Sequence, residues 1–218
     1  MNREDVTVEL EDVALPGYLR RREKMRGVVV FAHGTGSSRD SRRNNYVADR
    51  LAEAGMGSLL FDLMTEEEDR NYARRFDLEL LANRMRGALL WAHGEDLAGG
   101  RGYGLFGSST GSAAALVTAA EIGEASGAGA GGPEVQAIVS RGGRPDMARD
   151  AIPRVREPTL LIVGGMDKQV LALHREIMDQ FSTEAKLEVV EGATHLFQEP
   201  GALEQVADLA VEWFRERL

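Results

Sequence analysis

The sequence predicts an α/β protein, a mostly parallel sheet flanked by helices on both faces. Two observations lead to this expectation. Short, nearly continuous apolar runs such as Gly-Val-Val-Val-Phe-Ala at 27–32 and Thr-Leu-Leu-Ile-Val at 159–163 read as strands buried on both faces. Longer stretches with apolar residues three and four apart separate them and read as helices. Strand and helix in alternation build a parallel sheet, because each crossover helix packs back on the strands it joins.

The elements follow in order. Residues 6–10 alternate as a strand, and residues 13–20 pair with it across a short turn. The strand at 27–32 comes next, then a helix at 45–54 stopped by Gly55, then a strand at 57–61. Residues 76–92 form an amphipathic helix with Leu78, Leu81, Met85, Leu89 and Ala92 on one face and Gly94 just past its end. A strand at 102–106 leads into a helix at 110–122, and another strand lies at 135–139. Pro158 opens a strand ending near Val163, followed by a helix at 169–181, a strand at 187–190 and a helix at 200–218. In the last helix Leu203, Val206, Ala210 and Phe214 share a face. The Gly/Ala-rich run at 125–132 reads as a surface loop, since the sheet pattern continues after it.

Composition bounds the function classes. A chain of 218 residues, 43% hydrophobic, suits one domain spanning 1–218 with a full core. The net charge of -9 argues against nucleic acid or an anionic membrane surface as the main partner. No apolar stretch approaches the roughly 20 residues that span a bilayer. The N-terminal residues lack a signal peptide's apolar core, so cytoplasm is the default expectation. There are no cysteines, which rules out disulfides and thiolate metal sites.

The most informative segment is Gly107-Ser108-Ser109-Thr110-Gly111, G-x-S-x-G between a strand and a helix. That context is required of a nucleophile elbow, where a serine sits on a turn too tight for Cβ atoms two residues to either side. Two partners follow in chain order. Asp167 ends Val163-Gly164-Gly165-Met166-Asp167 after one strand, and His195 lies in Gly192-Ala193-Thr194-His195 after the next. All three stand just past the C-terminal ends of strands, the edge where open parallel sheets build their sites. In these roles Ser109 attacks a carbonyl, His195 takes its proton and Asp167 orients the imidazole. Asp146, after the strand at 135–139, is a rival for the acid, although capping a helix explains it equally simply. The loop His33-Gly34-Thr35-Gly36-Ser37-Ser38 can aim a backbone N–H at a developing oxyanion. Thr35 is favoured, with Gly36 as the alternative, and the second N–H belongs to Thr110. His33 reads as a brace for this loop. His93 and His174 read as surface residues among polar neighbours, and His33 with the scattered carboxylates shows no recognised metal-ligand spacing.

With HGTGSS at 33–38, GSSTG at 107–111, VGGMD at 163–167 and GATHLF at 192–197, the chain resembles the α/β-hydrolase superfamily, most of all its compact dienelactone hydrolase-like branch. The resemblance implies an eight-stranded sheet and a Ser-His-Asp triad. Dienelactone hydrolase itself is known for a cysteine nucleophile, which this chain lacks, so hydrolysis of small carboxylic esters or thioesters is the activity to expect. The substrate is then a small-molecule ester and no cofactor or metal is needed. Similar domains also occur joined to phosphoribosyltransferase-like domains. A cap usually enters these folds where this chain has only the short connection 139–159, which implies little or no cap and an open, shallow site. Acyl transfer to another nucleophile, or a non-catalytic binding module on the same fold, are the alternatives.

Arginines crowd the expected catalytic edge of this acidic chain. Arg39, Arg42 and Arg43 follow the oxyanion loop, and Arg141 and Arg144 follow the strand at 135–139. Arg39 and Arg141 are the candidates for binding an anionic substrate group. The plainer alternative is a mixed-charge rim shared with Glu66, Glu67, Glu68 and Asp69.

Overall fold

The computed structural model of the protein describes residues 2–21, 24–126 and 131–218. Residues 127–130, the centre of the expected surface loop, lie outside the described residues. Eight strands form one sheet: β1 (Asn2–Glu9), β2 (Ala14–Arg21), β3 (Val28–Ala32), β4 (Gly57–Phe61), β5 (Tyr103–Ser108), β6 (Val135–Arg141), β7 (Thr159–Gly164) and β8 (Ala185–Val190). Their order is β1-β2-β4-β3-β5-β6-β7-β8. The β1–β2 hairpin is antiparallel and β2 runs antiparallel to β4, while every pairing from β4 through β8 is parallel.

The order fixes where a site can form. From β3 the chain crosses to β4 on one side, then returns to place β5 on the other. The crossovers therefore diverge at β3 and β5, the place where open α/β sheets build their sites, and the loops leaving their C-terminal ends meet there. Those loops are His33–Ser38 and the GSSTG turn.

Alternation along the strands divides the core into two layers. Val28, Val30, Leu105 and Ile138 face one layer, with α3 (Leu78–Gly94) and α4 (Thr110–Ser126). Val29, Phe31, Phe106 and Val139 face the other, with α1 (Arg42–Glu53) and α6 (Ala202–Arg217). Phe31 and Phe106 stack with centroids 4.7 Å apart, locking β3 to β5 beneath these two loops. Helix α5 (Lys168–Ile177) follows β7.

The expected elements are present, with shifted ends. Helix α1 starts at Arg42 because the Ser41 side chain accepts the Asn44 N–H, and α3 starts at Leu78 because Asp77 caps Leu80. Strands β5 and β6 run two residues past their last large apolar residue, through Gly107-Ser108 and Ser140-Arg141. Apolar patterning stops there, but the ladder does not, since backbone pairing is indifferent to the side chain. One segment was not expected. Between β4 and α3 the chain forms α2 (Glu66–Asp69), capped by Thr65 and Glu68, and a 3-10 turn (Tyr72–Phe76). That turn reaches the loop after β3, where the Thr35 hydroxyl donates to the Arg75 carbonyl at 3.3 Å. The connection after β6 holds only two short 3-10 turns, Pro145–Ala148 and Ile152–Arg154.

His174 corrects an expectation. It is fully buried, not at the surface. It lies on the apolar face of α5 with Val170, Leu171 and Ile177, and its Nδ1–H donates to the Val170 carbonyl at 2.8 Å. A satisfied ring nitrogen lets an imidazole occupy a position its polar sequence neighbours disguise. His93 is exposed, as expected. Among the described residues no helix is long and apolar enough to cross a membrane.

Candidate active site

Ser109 stands between the end of β5 and the start of α4 with a φ of 50°, left-handed backbone in a residue that carries a Cβ. Such a conformation persists only where its surroundings over-determine it. Here the Ser109 N–H donates to the Arg141 carbonyl at 3.1 Å, and its own carbonyl accepts from Ser112 and Arg144. The bracketing glycines are explained by contact. A Cβ on Gly107 would enter the backbone of Ser112, and one on Gly111 would strike the carbonyl oxygens of Ala32 and His33. Gly34 makes the reverse approach, its Cβ position lying 3.0 Å from the Ser109 side chain. The elbow and the loop after β3 are therefore in direct contact.

Asp167 and His195 meet. The imidazole Nδ1 lies 2.6 Å from Asp167 Oδ2, and the carboxylate is largely buried. The other carboxylate oxygen accepts the Val170 N–H, so the same aspartate caps α5 and is held against rotation. A glycine again permits the approach: a Cβ on Gly164 would collide with the carbonyls of Ala193 and Thr194. Gly142 sits directly against the His195 ring, its Cβ position 3.5 Å from Nδ1 and Cε1. Gly142 lies between Arg141 and Arg144, the two residues whose backbones hold Ser109. One short segment after β6 thus touches both the serine's backbone and the histidine's ring. Sequence reasoning missed this junction, and the Gly142-Gly143 pair after a strand was its available signal. Asp146 stands apart, held by Arg144 through two hydrogen bonds of 2.8 and 2.7 Å, an ion pair that keeps its carboxyl below the usual range.

The loop at 33–38 is braced by His33, as its sequence suggests. His33 is buried, its Nδ1–H donates to the Gly34 carbonyl at 3.0 Å, and Nε2 accepts the Leu63 N–H at 3.0 Å. Burial holds its imidazole below the ordinary range, in the neutral form these two bonds need. The turn Gly34–Ser37 closes with the Ser37 N–H on the Gly34 carbonyl, and Gly36 supplies the positive φ of 67°. The Thr35 N–H donates to the Thr110 hydroxyl oxygen at 3.0 Å, and the two threonine hydroxyls lie 3.0 Å apart. Thr110 opens α4, so its own N–H has no intrahelical acceptor and sits at the positive end of the helix dipole.

The chain matches the model of the family described as "Alpha/beta hydrolase domain" over residues 25–212. The chain belongs to the α/β-hydrolase family. A solved structure of dienelactone hydrolase from Anabaena variabilis is 47% identical, with a TM-score of 0.91, and the match covers 100% of this chain and 98% of that one. This places the α/β-hydrolase domain in the dienelactone hydrolase-like branch. A Mycobacterium tuberculosis protein named "Putative phosphoribosyl transferase" is 50% identical over 215 residues, which is 99% of this chain but 46% of that protein. The domain therefore spans about half the length of that relative. Est1E from Butyrivibrio proteoclasticus shares the fold at 14% identity and a TM-score of 0.76, covering 97% of this chain and 98% of its own.

The arginines at the edge of this α/β-hydrolase domain divide into two groups. Arg39 is paired with Asp62, Arg75 with Asp69 and Arg144 with Asp146. Arg42, Arg43 and Arg141 have no carboxylate partner among the described residues; Arg42 is exposed, while Arg141 is buried and Arg43 has a buried Nε.

Proposed function

We propose that the protein is a serine hydrolase of small carboxylic esters or thioesters, with Ser109 as nucleophile, His195 as general base and acid, and Asp167 as the group that orients the imidazole. The observation that carries this reading is Ser109 held at φ 50° in a turn only glycine neighbours permit, on the sheet edge that also holds the 2.6 Å Asp167–His195 pair. With Nδ1–H committed to Asp167, Nε2 is the nitrogen free to accept a proton. Ser109 Oγ attacks the acyl carbon as its proton passes to Nε2. The imidazolium, stabilised by Asp167, then protonates the departing alkoxide or thiolate. Water repeats the sequence on the acyl-enzyme, returning Ser109 and releasing the acid.

The tetrahedral oxyanion is received by the backbone N–H groups of Thr35 and Thr110. In the resting protein the Thr35 N–H is engaged by the Thr110 hydroxyl, so the substrate oxygen takes that acceptor's place. A cleft of about 380 Å³ lies on the other side of the loop at 33–38, lined by Ser37, Ser38, Arg39, Asp62, Met64 and Glu66, and none of Ser109, Thr110, Asp167 or His195 lines it. Phosphoribosyl transfer is the name of a relative twice as long and has no support from the groups gathered here.

The test is a fluorophosphonate probe with a chromogenic short-chain ester. Ser109 is expected to carry the label, and Ser109→Ala to lose about 10⁴–10⁶ of kcat. Labelling and turnover that survive the substitution would refute the assignment.

A further inference from the structure

Arg141 is the residue the fold leaves unexplained. It ends β6 and is paired in register with Ser108 of β5 and Ile162 of β7. Alternation puts it on the same face as Ala137 and Val139, toward α1 and α6. It is 8% exposed, and its Nη1 is buried with no hydrogen-bond partner. The charged group that acts on it is another cation, Arg43 in the first turn of α1, whose Nε is also buried without a partner. Burial together with Arg43 pushes the Arg141 guanidinium down to about 9, which still leaves a cation at neutral pH.

A buried charge is ordinarily tolerated only when paired. This chain has acidic residues in excess, 35 against 26 basic ones, and gives carboxylates to Arg39, Arg75 and Arg144 at the same edge, while Arg42 is exposed to solvent. Two neighbouring guanidiniums left without one form half of an ion cluster. The site also borders the chemistry, because the Arg141 carbonyl holds the Ser109 N–H and the next residue, Gly142, lies against the His195 ring.

We propose that Arg141 and Arg43 form a receptor for an oxyanion group, a carboxylate or phosphate, carried by the substrate at the end remote from the scissile ester. Each guanidinium presents paired N–H donors that match two oxygens of such a group. Arg39, the other arginine expected to bind substrate, is already committed to Asp62 and takes no part. The substrate half of this proposal rests on ester hydrolysis at Ser109, but the anion site does not.

Three measurements on the full chain test it. Inorganic phosphate, titrated into the protein in a non-coordinating buffer, is expected to raise the melting temperature and to give a saturable calorimetric isotherm. Arg141→Met is expected to abolish both signals and Arg43→Gln to weaken binding at least tenfold. Without phosphate, Arg141→Met should melt at or above the wild-type temperature, because it removes an unpaired buried charge. A structural arginine would instead melt lower. In kinetics, Arg141→Met should lower kcat/KM for a hemisuccinate ester about 10- to 100-fold more than for the matched neutral butyrate ester, the contrast expected when one charge-assisted contact is lost. Phosphate binding that depends on both arginines, with no preference for the anionic ester, would place a free ion in the receptor and overturn its role in substrate selection. No phosphate binding, with equal effects on both esters, would overturn the site itself. If Arg141→Met does not fold, Arg43→Gln carries the same comparisons. Failed fluorophosphonate labelling would remove the ester reading while leaving the calorimetric result to stand or fall alone.

Discussion

The proposed roles of Ser109, Asp167 and His195 depend on a few small neighbours. The serine's strained backbone is tolerable because Gly107, Gly111 and Gly34 leave space where any Cβ would collide or crowd. Asp167 has two tasks, one oxygen on His195 and one on the Val170 N–H. Asp167→Asn keeps an adequate helix cap but favours the wrong imidazole tautomer. We expect kcat to fall by about 10³–10⁴ while the melting temperature changes little. Asp146→Asn breaks only the pair with Arg144, and kcat should stay within a few-fold of wild type. Steady-state kinetics of both variants decide between the two carboxylates, and the reverse pattern would move the acid to Asp146. The Thr110 hydroxyl poses a second question at this scale, since it occupies the Thr35 N–H. Thr110→Val keeps both backbone donors and removes the competing acceptor, so kcat/KM is expected to hold or to rise modestly. A fall of about 10²-fold would show that the hydroxyl itself donates to the oxyanion.

At the scale of elements, the site depends on helices that contribute no side chain to it. Helix α6 packs across the sheet through Val206, Ala210 and Phe214, all fully buried. The Phe214 ring lies over β5 so closely that Gly104 has no room for a Cβ, which would fall 2.5 Å from Cε1. Phe214→Ala empties this contact under the strand that ends in the elbow, and should cost about 3–5 kcal/mol of stability. Gly104→Ala is expected to destabilise as well, through overpacking. Chemical denaturation checks both, and an unchanged midpoint for Phe214→Ala would mean that α6 does not secure β5. The 3-10 turn at Tyr72–Phe76 has the opposite character: its residues are mostly exposed, and it reaches the loop after β3 through a hydrogen bond at Thr35.

For the whole molecule, two buried histidines couple the fold to pH. His33 and His174 both lie below their ordinary value of 6.5, with burial the largest cause in each. Asp62 and Asp69 face His33, Asp167 and Asp146 face His174, and each moderates the shift without reversing it. The unfolded chain therefore takes up protons near pH 6.5 that the folded chain refuses, so stability is full above that pH and declines as pH falls through it. Melting temperature is expected to drop between pH 7 and 5, before the carboxylate pairs titrate. His174→Leu, which removes one of the two groups, should flatten that slope. An identical slope in the variant would exclude His174 as a contributor.

The sequence by itself determined the fold class and the chain order of the elements, and it put forward Ser109, Asp167 and His195 as the candidate site. Each of these is written locally, in apolar periodicity, in glycine spacing and in short motifs after strands. Strand ends at Ser108 and Arg141, the burial of His174 and the commitment of Asp146 to Arg144 were decided only by the tertiary structure. A ladder continues through polar residues, a buried imidazole needs only one good acceptor, and a carboxylate's partner is set by distance in space. The arginines make the point most sharply. Arg39 and Arg141 look alike along the chain, yet folding brings Asp62 to the first and leaves the second near Arg43, with no carboxylate partner among the described residues. Local sequence specifies which groups exist, and packing of distant segments specifies which of them remain unsatisfied.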